Sequence, residues 1–138
     1  MKKVKLICFW LLSCTWGIVM TLIGALIALA LLVLRKEPQI FHGYVYFVVG
    51  KNWGGFNCGP FFFISSAATD KTKQHEAGHG IQNIIFGPLM PFVVSIPSAI
   101  RYWYRRYKSS KGLGYTLPSY DSIWFEGWAT ELGSKYFS

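Results

Sequence analysis

Hydrophobic and polar positions alternate with a different period in successive parts of the chain. From Leu6 to Leu34 there is no charged residue, a run of 29 positions between Lys2-Lys3-Val4-Lys5 and Arg35-Lys36-Glu37. About 20 apolar residues cross a bilayer as a helix, so the run predicts one transmembrane helix and a membrane anchor over residues 1–36. It is too short for a hairpin of two spans. Ala28-Leu29-Ala30 mimics a signal-peptide cleavage site, but Leu31 to Leu34 carry the apolar run past it, whereas a signal core has only about 7–15 residues.

Beyond Ile40 the period shortens. Tyr44 to Val49 is rich in β-branched and aromatic residues and predicts a strand. Gly50 to Gly55 is a turn by composition, and Phe56 to Ile64 predicts a returning strand broken at Gly59-Pro60. A proline inside a strand points to an edge position or a bulge. Residues 71–86 then change to helical spacing, with Ile81, Ile84 and Ile85 as an apolar stripe, a start at Asp70 or Thr72, and a stop at Gly87-Pro88. Residues 84–100 are uncharged, but Pro88, Pro91 and Pro97 spoil a straight span. A last helix is expected from Ser119, with Tyr120, Ile123, Trp124, Trp128, Leu132 and Tyr136 on its apolar face. The pattern predicts an α+β domain over residues 37–138, with a short antiparallel sheet and two principal helices.

The first of those helices carries His75-Glu76-Ala77-Gly78-His79, the H-E-x-x-H pattern. Four residues of helix put both imidazoles on one face, where they can hold one Zn²⁺. Glu76 lies beside that face, placed to take a proton from a water at the metal and pass it to a leaving amine. A catalytic zinc usually has three protein ligands and an open position. The remaining supply is thin: Glu37, Asp70, Asp121, Glu126 and Glu131, with His42 as the only other histidine. Glu126 is the best third ligand because Trp124, Phe125 and Trp128 surround it, and a carboxylate in such a setting needs a charge partner. Glu131 and Asp121 stay open as alternatives. His42, alone on the first strand, reads as structural.

His75-Glu76-Ala77-Gly78-His79, followed by Glu126-Gly127-Trp128-Ala129, resembles the gluzincin metallopeptidases, whose small soluble members have catalytic domains of about the size available here. The resemblance spans roughly residues 60–130. It implies a zincin-like domain with an active-site helix and a glutamate helix. It also implies one Zn²⁺ per chain on His75, His79 and Glu126, with Glu76 as general base. The small Ala129 would let the second helix pack on the first near Gly78. Many gluzincins carry Asp four residues after the ligand glutamate, where it orients a zinc-bound histidine; here that position is Thr130, which can accept the same hydrogen bond without a charge. Family members polarise the oxyanion with a Tyr or His, for which Tyr120 and Tyr115 are nearest. A free strand edge beside the metal helix would hold an extended peptide.

Charge adds a partner. The formal net charge is +8, which suits an anionic surface. Arg101-Tyr102-Trp103-Tyr104-Arg105-Arg106-Tyr107-Lys108 mixes rings with cations, the composition of a lipid-headgroup interface. Arg101, Arg105, Arg106 and Lys108 are the expected lipid contacts. Nucleic acid also suits such residues, but beside an anchor lipid is the simpler partner. The lysines ahead of the apolar run place the domain outside the cytoplasm. Cys8 and Cys14 fall in that run and Cys58 is alone in the domain, so no intradomain disulfide can form. The expected activity is zinc-dependent hydrolysis of a peptide or protein substrate near a membrane surface. The other reading is a membrane-anchored interaction module with a structural zinc, which would show a fourth protein ligand.

Overall fold

The uncharged run does not form one helix. In the computed structural model, which describes residues 3–138, it forms α1 (Lys3–Ser13) and α2 (Ile18–Val33), bent by 94° at the break between them. At about 1.5 Å per residue, the 16 residues of α2 extend about 24 Å, less than the roughly 30 Å of a hydrocarbon layer. Among the described residues no single helix is long and apolar enough to cross a membrane. The single transmembrane helix expected from the run is therefore wrong.

The break has a polar cause that counting apolar residues does not register. Thr21 Oγ1 donates to the carbonyl of Ser13 at 2.7 Å, and Asn83 Nδ2 donates to that of Gly17 at 3.2 Å. Trp16 Nε1 donates to the Ile85 carbonyl at 3.3 Å. Side chains thus serve carbonyls at the corner, where a helix end leaves acceptors without partners. Gly17 is needed there because a Cβ would lie 2.5 Å from Asn83 Nδ2.

The strands are β1 (Gln39–Phe41), β2 (Tyr44–Val48), β3 (Gly55–Cys58) and β4 (Phe61–Ile64), in the order β1-β2-β4-β3. The sheet is mixed, not the antiparallel one expected: β1/β2 and β3/β4 are antiparallel, while β2/β4 run parallel with Tyr46 opposite Phe62. The reason lies at Gly59. Its φ of +66° turns the chain inside the stretch read as one broken strand, so Cys58 pairs with Phe61 in a hairpin. That hairpin lays β4 against β2 and leaves β3 at the edge.

Strand alternation sends side chains to two faces. Tyr44, Tyr46, Phe62 and Ile64 pack with Phe9 of α1 and with Ala77 and Phe137. Phe47, Phe63 and Cys58 pack with Met20 and Ala28 of α2 and with Met90, Val94 and Phe125. The bent pair α1–α2 therefore straddles the sheet, one helix for each core.

Helix α3 (Asp70–Phe86) begins after Thr69, whose backbone N–H donates to Thr72 Oγ1 at 3.3 Å, and ends at Gly87 with φ +58°. After a π-helical turn at Pro91–Ser95 the chain enters α4 (Ile96–Ser110), so that the two helical stretches meet at 117°. The last helix, α5 (Trp124–Phe137), starts later than Ser119, after a 3-10 turn at Tyr120–Ser122. Its buried stripe is Phe125, Ala129, Gly133 and Phe137. The expected face was rotated: Trp124 and Tyr136 are exposed. Small residues at four-residue spacing, not the largest rings, mark the contact side. There a Cβ on Gly78 would overlap the Ala129 carbonyl oxygen, and one on Gly133 would overlap that of Gln74. The two helices touch backbone to backbone.

Candidate metal centre

The close crossing of α3 and α5 carries His75 and His79 against Glu126. Their ligand atoms all lie within 4.8 Å of one another. His75 Nε2 is 3.5 Å from Glu126 Oε2, and His79 Nε2 is 3.2 Å from Glu126 Oε1. Glu126 and His79 are buried, and His75 is half-buried. Asp121 and Glu131, the other carboxylates weighed, are exposed, and so is His42 in the turn after β1.

Hydrogen bonds on the outer ring nitrogens fix what the inner ones present. Gln82 Nε2 donates to the Phe125 carbonyl at 2.8 Å, which leaves Gln82 Oε1 to accept from His79 Nδ1 at 2.7 Å. In the neutral ring, His79 Nε2 is then a lone pair facing a carboxylate oxygen. Two acceptors at that distance repel unless a cation or a proton lies between them. On the other side His75 Nδ1 is 2.7 Å from Thr130 Oγ1. His75 Nε2 and Glu126 Oε2 are buried without a hydrogen-bond partner. This donor set, two imidazole nitrogens and a carboxylate with their outer atoms already engaged, fits zinc.

Burial alone pushes the Glu126 carboxyl up, but its close contacts with His75, His79 and Tyr120 hold it well below the ordinary range. Burial pushes the His79 imidazole down, and contact with Glu126 together with the charge of Glu76 more than reverses that. These are the marks of a site that favours positive charge at its centre. Glu76 is itself raised, chiefly by burial, with partial relief from the two imidazoles. The Tyr120 hydroxyl is raised too, by burial and then by the charge of Glu126.

Glu76, His79 and Tyr120 line a cavity of about 410 Å³, together with Gly55 and Phe56 of the edge strand and with Ser98 of α4. Ser98 Oγ donates to Glu126 Oε1 at 2.9 Å. The motif helix is tied to the sheet by Asn57 Nδ2, which donates to the Glu76 carbonyl at 2.8 Å, and by Tyr44, whose hydroxyl donates to that of Ala77 at 2.6 Å. The Tyr120 ring lies 5.8 Å from that of His75, whereas Tyr115 is 85% exposed and outside the site.

The cations grouped as lipid contacts have other work as well. Arg101 Nη2 donates to the Ser119 carbonyl at 3.1 Å, and Arg105 Nη1 donates to that of Pro118 at 2.7 Å. Both guanidinium groups sit over the Tyr120 ring, at 5.1 and 5.4 Å. They hold the segment that brings Tyr120 to the cavity. Arg106 Nη1 donates to the Asn52 carbonyl at 3.0 Å, and Lys108 lies over Tyr104.

Sequence reasoning missed Gln82 and Ser98. Gln82 was detectable, because three residues after His79 is the same helix face. Nothing local marks Ser98, which reaches Glu126 only through the turn at Gly87–Ser95. No protein-family model matches the chain, and no curated protein or solved structure is significantly similar to it. The likeness to gluzincins rests on the motif residues and the triad geometry alone.

Proposed function

We propose that the protein is a zinc-dependent peptidase. The observation that carries this reading is the convergence of His75, His79 and Glu126 within 4.8 Å at the wall of a cavity that also takes in Glu76. Three protein donors rather than four are the pattern of a catalytic site. Bound zinc would supply a Lewis acid for the scissile carbonyl and lower the pKa of the attacking water.

The chain's own residues account for the rest. Glu76, buried and raised above the ordinary carboxylate range, takes the proton of the attacking water and passes it to the leaving amine. Tyr120, kept protonated by its surroundings, is a hydrogen-bond donor for the developing oxyanion. Gly55 lies against Glu76, with no room for a side chain: a Cβ there would be 2.8 Å from Glu76 Oε1. The edge strand β3 can therefore present an extended substrate backbone next to the base. Thr130 and Gln82 set the orientation of the two imidazoles.

The test is metal content together with peptide hydrolysis by the full chain and by Glu76→Gln. One zinc per chain is expected in both, with hydrolysis lower in the variant by a factor of roughly 10² or more. Equal turnover in the two proteins would remove Glu76 as the base, and absence of zinc from both would remove the reading itself.

A further inference from the structure

The cavity beside the metal centre has an unusual rim. Its outer walls come from α2, through Ile27 and Leu31, and from α4, through Ala99 and Trp103. Along α2, the turn before α4 and the start of α4 stand large apolar side chains left exposed. Leu26 is 60% exposed, Leu29 59%, Phe92 70%, Ile100 65% and Trp103 66%. Soluble monomers rarely expose a contiguous apolar patch beyond a few hundred Å².

The chemistry of the rim says what covers it. Residues 22–34 and 84–94 contain no polar side chain, and in 95–103 the side chains of Ser95, Ser98, Arg101 and Tyr102 are already bonded inside the protein. A protein partner generally forms about one hydrogen bond per 100–200 Å² of interface, and the rim offers little beyond the Trp103 indole for one. An occupant without a hydrogen-bonding requirement, such as acyl chains, fits such a face. The charges bordering the rim are mostly positive. Arg35 and Lys36 follow α2, with Glu37 next to them, and Arg106, Lys108 and Lys111 close α4, while no acidic residue occurs in 77–120. Cations bordering an apolar face complement an anionic leaflet.

We propose that the rim formed by α2 and residues 89–103 sits in the headgroup–acyl boundary of an anionic membrane surface, without crossing it. The cavity mouth then opens toward lipid, and the substrate is an apolar polypeptide segment lying in that boundary. The lipid contact stands on the surface alone; the substrate class rests on the peptidase reading above. Placing the metal centre behind the rim keeps the polar start of α3, with Asp70, Lys71 and Lys73, outside the lipid.

Two measurements on the full chain test this, using vesicles of phosphatidylcholine with and without phosphatidylglycerol. In flotation, the wild type is expected to rise with the anionic vesicles, and the variant Leu26→Ser/Leu29→Ser/Phe92→Ser/Ile100→Ser to partition at least roughly tenfold less, on the scale of the apolar area removed. The second measurement leaves the rim almost intact. A nitroxide on Phe92→Cys, in a Cys8→Ser/Cys14→Ser background, should be relaxed by lipid-soluble oxygen, and one on Lys71→Cys by a water-soluble nickel chelate. Equal flotation of wild type and variant, or equal response at the two labels, overturns the lipid contact. So does a wild type that stays off vesicles and forms a stable dimer that the variant cannot form. For the substrate, a soluble peptide should be cleaved equally by both proteins, and a bilayer-inserted apolar helix at least roughly tenfold more slowly by the variant. Equal cleavage of the inserted helix overturns the substrate class. Absence of all hydrolysis with flotation intact overturns the peptidase reading and leaves the lipid contact standing.

Discussion

Where α3 crosses α5 the two backbones touch, with Gly78 under the Ala129 carbonyl and Gly133 under that of Gln74. Where α2 and α4 share the walls of the cavity, large side chains line an open space and others point out of the protein. The first region is built from small residues, buried polar groups and ion pairs. The second is built from leucine, isoleucine and aromatic rings. Their contents are reversed from the usual distribution, in which large apolar residues are inside and charges outside. The reversal suits what each region is proposed to face. A metal centre needs ligands held close and away from water, and small residues let the helices carrying them approach. A face whose exposed side chains are largely apolar suits an apolar environment, and bulk provides the contact area.

Substitutions separate the two regions. Gly78→Ala puts a methyl group into the Ala129 carbonyl and should cost about 3 kcal/mol of folding stability, the upper part of the overpacking range. Leu29→Ser, on the exposed side of α2, should change stability in detergent by no more than about 0.5 kcal/mol. Denaturant titration of both decides. Similar losses would show that α2 is as tightly held as the helix crossing and would break the comparison.

A smaller effect is expected around the ligands. Gln82→Leu and Thr130→Val each leave a histidine nitrogen without its outer partner. Each should weaken zinc binding by about 10–100-fold, the usual scale for such groups, measured by competition with a chelator. Loss at Gln82 with none at Thr130 would mean that His75 is oriented by something other than the hydroxyl.

The smallest effect concerns thiols. Burial, with the charge of Glu76 behind it, pushes the Cys58 thiol up to about 12. A raised thiol pKa leaves almost no thiolate at pH 8, so Cys58 should resist maleimide until the protein unfolds, while the exposed Cys8 and Cys14 react at once in detergent. Rapid labelling of Cys58 in the folded chain would show that the core between α2 and the sheet opens readily.

These contrasts also explain what the sequence reveals. His75 and His79 can be placed on one face because a helix has a fixed period, and Gly87-Pro88 ends that helix by local chemistry. Glu126 can be singled out because so few carboxylates exist in this chain. The corner at Cys14–Gly17 cannot be read that way. Part of its cause, Asn83, lies on another helix, and an apolar run looks the same whether it is straight or folded back. The parallel pairing of β2 with β4 is hidden for a similar reason: Gly59 can serve as a bulge or as a turn, and only the neighbouring strands decide. On α5 the large rings mislead, because the buried side is chosen by closeness of approach. Ala129 and Gly133 allow that approach and Trp124 does not.

Gln82 and Thr130 lie on different helices but depend on the same contact. The residue that fixes the His79 ring belongs to the same helix as His79, one turn away, yet its amide is itself set by the Phe125 carbonyl of α5. The residue that fixes the His75 ring belongs to α5. If α5 lifts from α3, His75 loses its hydrogen-bond partner and its facing carboxylate in the same movement. His79 loses the carboxylate, and Gln82 loses the acceptor that decides which end of its amide meets the ring. Closure of the glutamate helix therefore delivers the carboxylate and aims both imidazoles together, so that docking of α5 and completion of the metal site are a single cooperative event.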